Sequence, residues 1–230
     1  MKKILLLGSA LLFSASATFA QTTTTMTGND ARIGIKGGVN LSTVKYSGFE
    51  GASTLNDATK QNVGYNFTVF GDFGVGNNFF IQPGLSLQNK GTKFEGTFGT
   101  ITGEQTINVM AIEVPVNAVL RIPTGEYGAF QLSAGPYAAF NVDGKRKTTI
   151  TSGANEGTTE ENLKFGNDAD DDAAGMDFGA NFGVGYRMNN GFMLGANYGL
   201  GLSNLIPKDN RSNDNKATNR VWGFSVGYSF

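Results

Sequence analysis

Large apolar residues alternate with small or polar ones along most of this chain, and the alternation is clearest in residues 221–230. Every even position of that stretch is large and apolar: Trp222, Phe224, Val226, Tyr228 and Phe230. The odd positions are glycine or serine, apart from Val221. Because successive side chains of a β-strand point to opposite faces, this pattern predicts a strand with one apolar face and one small, polar face.

The same alternation recurs in seven further segments, which predicts eight strands in all. Together with 221–230 they are residues 32–44, 62–75, 79–90, 107–122, 129–142, 176–188 and 192–203. A strand of about ten residues, tilted by about 45°, spans roughly 23 Å along a membrane normal. These segments are therefore long enough to cross a bilayer.

The connections between the predicted strands alternate strictly in length. Short turns at 76–78, 123–128 and 189–191 separate long polar loops at 45–61, 91–106, 143–175 and 204–219. Outer-membrane barrels have short periplasmic turns and longer external loops. The sequence therefore predicts an all-β fold, an eight-stranded antiparallel up-and-down transmembrane β-barrel with both termini in the periplasm. The last strand is expected to pair with the first and close the ring.

The first residues read as an export signal. Residues 1–20 begin with two lysines, continue with an apolar core and end in small residues, so cleavage is expected between Ala20 and Gln21. Residues 21–31 then form a flexible leader, and the barrel domain occupies 32–230. No later apolar run is long enough for a membrane-spanning helix, so a membrane location requires a barrel.

Composition excludes several kinds of chemistry. The chain has no histidine and no cysteine, which removes Ser-His-Asp and Cys-His catalysis, the commonest zinc sites and any disulfide. Its formal charge of −1 provides no basic field for nucleic acid. We therefore expect no enzymatic activity, no cofactor and no metal.

The alternation does not by itself say which face meets lipid. A soluble lipocalin-like or streptavidin-like barrel would place the apolar face inside. Here the polar face is rich in glycine, asparagine and serine and carries charges of both signs, which suits a narrow interior where charges pair. The predicted charge network of the lumen is Arg32, Lys36, Asp72, Glu113, Arg121, Asp177 and Arg187. Aromatic residues near the short turns fit an interfacial girdle: Phe73, Phe79, Phe130, Tyr186, Phe192 and Phe230.

Three prolines, Pro83, Pro115 and Pro136, fall inside predicted strands. Proline cannot donate to the ladder of hydrogen bonds, and a closed barrel has no edge on which to place it. We expect these residues to lie at bulges or at strand ends.

These residues together resemble the Bacteroidota-type outer-membrane β-barrel domain, often labelled porin family or PorT-like, a small barrel of the OmpX/OmpA kind. The resemblance covers roughly residues 31–230. It rests on residues 34–40 (GIKGGVN), 112–115 (IEVP), 135–137 (GPY), 177–179 (DFG), 198–204 (YGLGLSN) and 227–230 (GYSF). It implies an eight-stranded outer-membrane barrel whose terminal aromatic residues, Tyr228 and Phe230, are the signal that the barrel-assembly machinery recognises.

Two loop features suggest chemistry. The acidic run at 167–172 would offer oxygen ligands to Ca²⁺, but it lacks the glycine and the distant glutamate of an EF-hand, and a solvated loop tip is favoured. The basic residues 145–147 would meet lipopolysaccharide phosphates, although a solubilising loop base is favoured. Asp72 and Glu113 would permit acid–base chemistry in principle, but structural ion pairing is favoured.

The favoured function is a structural or surface-interaction role of a small outer-membrane barrel, exerted through its four long external loops. Its expected partners are outer-membrane lipid, lipopolysaccharide and the barrel-assembly machinery. One alternative is a narrow passive channel for ions or small solutes, and the other is a soluble periplasmic barrel that binds a ligand in an apolar cavity.

Overall fold

The computed structural model describes residues 31–98, 101–152, 156–212 and 214–230, so the predicted export signal lies outside the described residues. These residues form ten strands, one short helix and a 3-10 turn. The strands are β1 (Ala31–Ser47), β2 (Thr59–Lys60), β3 (Asn62–Gly76), β4 (Phe79–Phe98), β5 (Ile101–Pro123), β6 (Gly128–Ile150), β7 (Gly157–Asn162), β8 (Met176–Met188), β9 (Phe192–Gly201) and β10 (Lys216–Ser229). The helix α1 is Ala52–Ala58, and the 3-10 turn is Lys208–Asn210.

Eight of the strands form a closed antiparallel ring. Their order around it is β4, β3, β1, β10, β9, β8, β6 and β5, and β5 pairs with β4 to complete the circle. The predicted closing seam is confirmed, because β10 pairs with β1 from Gly34 opposite Ser229 to Ser47 opposite Lys216. The prediction of eight strands is two short of the ten described. The additional strands β2 and β7 pair outside the ring, with β4 and β6 respectively.

Two of the predicted loops contain much strand. β4 and β5 remain paired up to Phe98 opposite Ile101, so the predicted loop 91–106 is largely a hairpin. β6 continues to Ile150 and carries β7 at its side. Both extensions are rich in threonine and charge rather than apolar residues. They lack the alternation that marks a lipid-facing strand, and backbone pairing continues there because the ring below fixes the register.

The apolar face of the ring points outward and the polar face points inward. Val63 and Val226 are 67% and 63% exposed, whereas Asp72, Arg121 and Arg187 are at most 2% exposed. A soluble ligand-binding barrel would have the opposite arrangement. None of the helices among the described residues has the length and hydropathy needed to span a membrane.

Aromatic side chains mark both borders of the apolar exterior. Near the short turns, the rings of Phe130 and Tyr186 lie 5.1 Å apart. Towards the other end, Tyr198 and Trp222 lie 4.8 Å apart. From Trp222 to Phe230 the chain rises roughly 19 Å along the membrane normal, at about 3.4 Å per residue and a tilt of about 45°. This is about three quarters of the roughly 25 Å height of a lipid-facing band.

The three prolines lie within strands, neither at a bulge nor at a strand end, which corrects the expectation. Pro83 sits opposite Val116, and the pairing then lapses for residues 84–85 opposite 114–115 before it resumes in the same register. A similar lapse separates residues 116–117 from 135–136. Register shifts occur elsewhere, at Gly74/Gly76 and at Met110/Ala111. The ring tolerates the missing donors because the neighbouring pairs on both sides hold the register.

Candidate functional site: the barrel interior and its outer mouth

The interior near the short turns is built around one buried ion pair. A guanidinium nitrogen of Arg121 lies 2.5 Å from a carboxylate oxygen of Asp72, and both side chains are at most 2% exposed. Gln82 donates to the other carboxylate oxygen at 3.0 Å. The guanidinium of Arg121 also lies 3.7 Å from the ring centroid of Phe80, itself 5% exposed. We call this region, with Val119 and Arg187, the lower interior.

Arg187 is held differently from Arg121. It is 1% exposed, and its Nε and Nη2 atoms have no hydrogen-bond partner among the described residues. It experiences repulsion from Arg121 and Arg32 and attraction from Asp72. The lower interior therefore concentrates positive charge around a single aspartate; in the register of β1 and β3, Arg32 lies opposite that aspartate.

The next layer of the interior pairs Glu113 with Lys90. The ammonium of Lys90 lies 2.6 Å from Glu113 Oε2, and both side chains are at most 7% exposed. Asn181 donates to the second oxygen of Glu113 at 3.1 Å. Lys90 also lies 4.7 Å from the ring centroid of Tyr137. Lys90 is absent from the predicted network, although the alternation places it on the same polar face as Gln82, Ser86 and Gln88.

Asp177 is satisfied by neutral donors. Tyr137 Oη donates at 3.2 Å, Asn219 Nδ2 at 2.8 Å and Ser203 Oγ at 2.6 Å. Lys36 borders a small cavity of about 70 Å³, and its ammonium lies 5.9 Å from the ring centroid of Phe70. Tyr137 thus links Asp177 to the Lys90–Glu113 pair, while Arg121 and Asp72 form the ion pair of the lower interior.

These clusters fill the barrel at the level of the apolar band. In a water-filled pore the charged groups that line the lumen would be exposed to water. Asp72, Arg121, Asp177 and Arg187 are instead 1–2% exposed. The interior at this level is packed side chain, as the diameter of an eight-strand ring favours.

Above Lys90 the interior changes character and opens into a cavity of about 290 Å³, which we call the outer chamber. Its walls are mainly apolar side chains of the strands and of two external loops: Val44, Tyr46, Ile107, Val109, Leu163, Leu205, Ile206, Pro207 and Ala217. Lys90, Thr92 and Asn219 contribute polar groups to its lining. The chamber was not predicted, because part of its wall comes from segments assigned as loops, which supply Leu163, Leu205 and Ile206.

The two loop features predicted from sequence meet at the rim of this chamber. Arg146 pairs with Asp172 at 2.8 Å and with Glu161 at 3.4 Å. The backbone N–H of Lys164 donates to Asp172 at 2.9 Å. This bond, and then the Arg146 guanidinium, lower the pKa of the Asp172 carboxyl. The basic cluster is therefore partly neutralised within the chain.

The acidic run 167–172 is tied down at several points rather than being a wholly solvated tip. The backbone N–H of Asp168 donates to Asp171 at 2.8 Å, and Asn210 donates to the carbonyl of Ala169 at 3.1 Å. Asp168 and Asp170 are exposed. Across the described part of the chain, no three acidic groups are placed to hold a metal ion together.

The terminal aromatic residues lie at the turn end of the seam. Phe230 is 68% exposed, and its backbone N–H donates to the carbonyl of Ile33 at 2.9 Å. Tyr228 contacts both Phe192 and Phe230, with ring centroids 5.1 Å apart in each case. Ala20 and Gln21 lie outside the described residues.

A closed antiparallel ring with an apolar, aromatic-bordered exterior and buried charges inside is the architecture of an integral outer-membrane β-barrel. The family model for the outer membrane protein beta-barrel domain matches residues 19–207. The chain therefore belongs to that family, which confirms the predicted resemblance at the level of the family. The assignment to the Bacteroidota or PorT-like subtype stays a prediction.

Solved structures with a related fold are small outer-membrane proteins. Ail, the attachment invasion locus protein of Yersinia pestis, is 18% identical over 87% of this chain and 99% of its own, with a TM-score of 0.39. Neisserial surface protein A is 10% identical over 86% and 95%, with a TM-score of 0.37. OprG from Pseudomonas aeruginosa is 13% identical over 87% and 96%, with a TM-score of 0.34. No curated protein matches this chain in sequence.

Proposed function

We propose that this protein is a non-conducting, non-enzymatic outer-membrane barrel that acts at the cell surface through its four long loops. The observation that carries the proposal is the contrast between its two ends. The lumen is filled with buried ion pairs at membrane level, while the long loops, the β4–β5 hairpin and the β6–β7 extension build a structured surface at one end.

The filled lumen argues against the channel alternative. Ions would have to pass Asp72, Arg121 and Arg187, which leave no room for water contact. The test is planar-bilayer conductance with protein whose folding is verified by the gel shift on boiling. Wild-type protein is expected to give no single-channel current. A folded variant with Arg121→Ser and Arg187→Ser, which widens the lumen, serves as the positive control. Steady single-channel currents from the wild type would contradict the proposal.

The proposed orientation places the short turns and both termini in the periplasm, after export by a cleaved signal peptide. Because the chain has no cysteine, single substitutions report topology directly. Asp209→Cys in a long loop should react with a membrane-impermeant maleimide on intact cells, whereas Asn190→Cys in a short turn should react only after the outer membrane is permeabilised. The reverse labelling pattern would show that the long loops face the periplasm, and it would contradict the proposed surface role.

Three further points complete the proposal. Asp72 and Glu113 serve structure rather than acid–base chemistry, because each is fixed in a buried ion pair. The barrel-assembly machinery recognises the exposed Phe230 beside Tyr228 at the seam. Lipopolysaccharide surrounds the outer half of the barrel, but the basic residues 145–147 contribute little to binding it, because Glu160 and Glu161 of β7 face them.

A further inference from the structure

The inward face of the barrel inverts its polarity at the level of Lys90. Up to about that level β1 directs Asn40 and Ser42 inward, and both are at most 1% exposed. Above it, the same face of the same strand carries Val44 and Tyr46, which line the outer chamber. On β5, the inward-facing Glu113 lies below, Val109 lies opposite Lys90, and Ile107 lies above, so the same change occurs there. Apolar side chains on an inner wall that opens to water have a cost unless something apolar covers them.

Two external loops close over part of this apolar wall. Leu163 comes from the loop after β7, and Leu205 and Ile206 come from the loop after β9. The loops are fastened to each other, because the N–H of Ala174 donates to the carbonyl of Leu205 at 2.8 Å and the N–H of Asp209 donates to the carbonyl of Asn167 at 3.0 Å. The chamber is thus a shaped cavity with fixed walls.

One residue that lines the chamber, Thr92, has a buried polar group without a partner in the described part of the chain. Thr92 is 1% exposed, and its hydroxyl has no hydrogen-bond partner among the described residues. A buried hydroxyl left in that state costs roughly 1–3 kcal/mol. Lys90 beside it also has donor capacity, because an ammonium carries three N–H groups and Glu113 takes one of them. A group that accepts hydrogen bonds would be satisfied at this position.

From these features we propose that the outer chamber binds a small, mainly apolar molecule with one hydrogen-bond-accepting group, such as a hydroxyl or carbonyl, which lies against Thr92. The volume of about 290 Å³ is near the lower end of the range for small-molecule pockets. The proposal deepens the surface role proposed above and relies on its orientation for access from outside the cell.

The test is a titration with cyclohexanol, which has an apolar ring and one hydroxyl, monitored by methyl NMR of the full barrel in lipid nanodiscs. Saturable shifts are expected for the methyl groups of Ile107, Val109 and Leu163. The methyl groups of Val63 and Val226, on the lipid-facing exterior, report partition into lipid and should not saturate. Non-saturating shifts of equal size at all of these positions would overturn the proposal.

Two variants locate the site. Thr92→Val keeps the shape but removes the hydroxyl, and it should weaken binding about tenfold, equivalent to about 1.4 kcal/mol. Ile107→Trp fills the chamber and should abolish saturable binding while the gel shift on boiling persists. Unchanged affinity in both variants would place the probe elsewhere and overturn the proposal. These outcomes are independent of conductance and surface labelling. Failure of the binding proposal can therefore be distinguished from failure of the proposed surface role.

Discussion

The lower interior and the outer chamber are enclosed by the same strands, but they are occupied in opposite ways. In the lower interior, Arg121 and Asp72 pair at 2.5 Å beside Phe80, and the side chains are out of reach of water. In the outer chamber, Val44, Ile107 and Val109 surround open space. The difference shows that a single strand can face lipid on its outer side and line two unlike interiors on its inner side. It does so because its inward-facing side chains change from polar to apolar at one level.

The largest expected effect comes from breaking the lower interior. Asp72→Ala leaves the buried guanidinium of Arg121 without its carboxylate, and we expect the free energy of unfolding to fall by about 3–5 kcal/mol. Urea unfolding in liposomes, followed by the gel shift on boiling, measures it. Asp143→Ala, at an exposed position, is the matched control and should change stability by less than about 0.5 kcal/mol.

Removing both charges of the Asp72–Arg121 pair should restore part of the lost stability. The double variant Asp72→Ala with Arg121→Met contains no uncompensated buried charge, so it should be more stable than Asp72→Ala alone. A loss of less than about 1 kcal/mol in the single variant, or no recovery in the double variant, would show that the pair does not organise the lower interior.

A smaller effect compares two valines of β5 that face the same lumen. Val119 is 1% exposed in the lower interior, so Val119→Ala should cost about 1–3 kcal/mol through lost burial and the cavity left behind. Val109 lines the outer chamber and is half-buried, so Val109→Ala should cost less than about 1 kcal/mol. Equal costs in the same unfolding assay would mean that the chamber is packed as tightly as the lower interior.

The rim of the chamber should contribute less again to global stability. Arg146→Gln removes ion pairs with Asp172 and Glu161, and partly exposed pairs of this kind are worth about 0–1 kcal/mol. Hydrogen exchange in residues 163–173 should nevertheless quicken, because the loop loses one of its attachments to β6. Lys145→Gln, which loses only a 3.9 Å contact with Glu160, is the control and should leave exchange unchanged. Slow exchange in the Arg146 variant would show that the loop is held by other contacts.

The smallest effect is a local response to acid. Because hydrogen bonding and Arg146 lower the pKa of Asp172, its contribution to loop stability is fully present above the ordinary aspartate pKa of about 3.9 and is lost as pH falls through the lower folded value. The amide resonance of Lys164, which donates to Asp172, should therefore titrate with a midpoint below about 3.9. The titration should vanish in Asp172→Asn, and a midpoint above 4 would contradict the assignment.

Much of the barrel follows from alternation alone. The lipid-facing rows, the short turns and the seam of β1 with β10 are predictable because burial in lipid imposes a strict two-residue period. The ion-pair partners are not predictable in this way. Lys90 meets Glu113 rather than another carboxylate because the register of β4 against β5 sets their levels, and that register is a property of the closed ring.

The outer chamber was missed for a related reason. Val44 and Tyr46 continue the inward face of β1, and Ile107 and Val109 continue that of β5, but these apolar residues stand on an otherwise polar face and break the alternation. The strand assigned to β1 ends at residue 44, before Tyr46, and the strand assigned to β5 includes Ile107 and Val109 without giving them a face. If every second residue had been assigned to the inward face whatever its polarity, all four residues would have been placed inside the outer chamber.

The pairing of β1 with β10 is also expected to be a late step in folding. Two neighbouring pairs of the ring, β1 with β3 and β6 with β8, have one short strand in the connection between them, β2 and β7 respectively. The other neighbouring pairs follow each other directly along the chain, except β1 and β10, which are the first and last strands. The second edge of β1 is therefore uncovered until β10 pairs with it. Contacts of such long sequence separation form slowly, and until they form both strands expose unpaired edges that favour aggregation. A chain shortened before β10 should therefore be a substrate for periplasmic proteases rather than a smaller barrel.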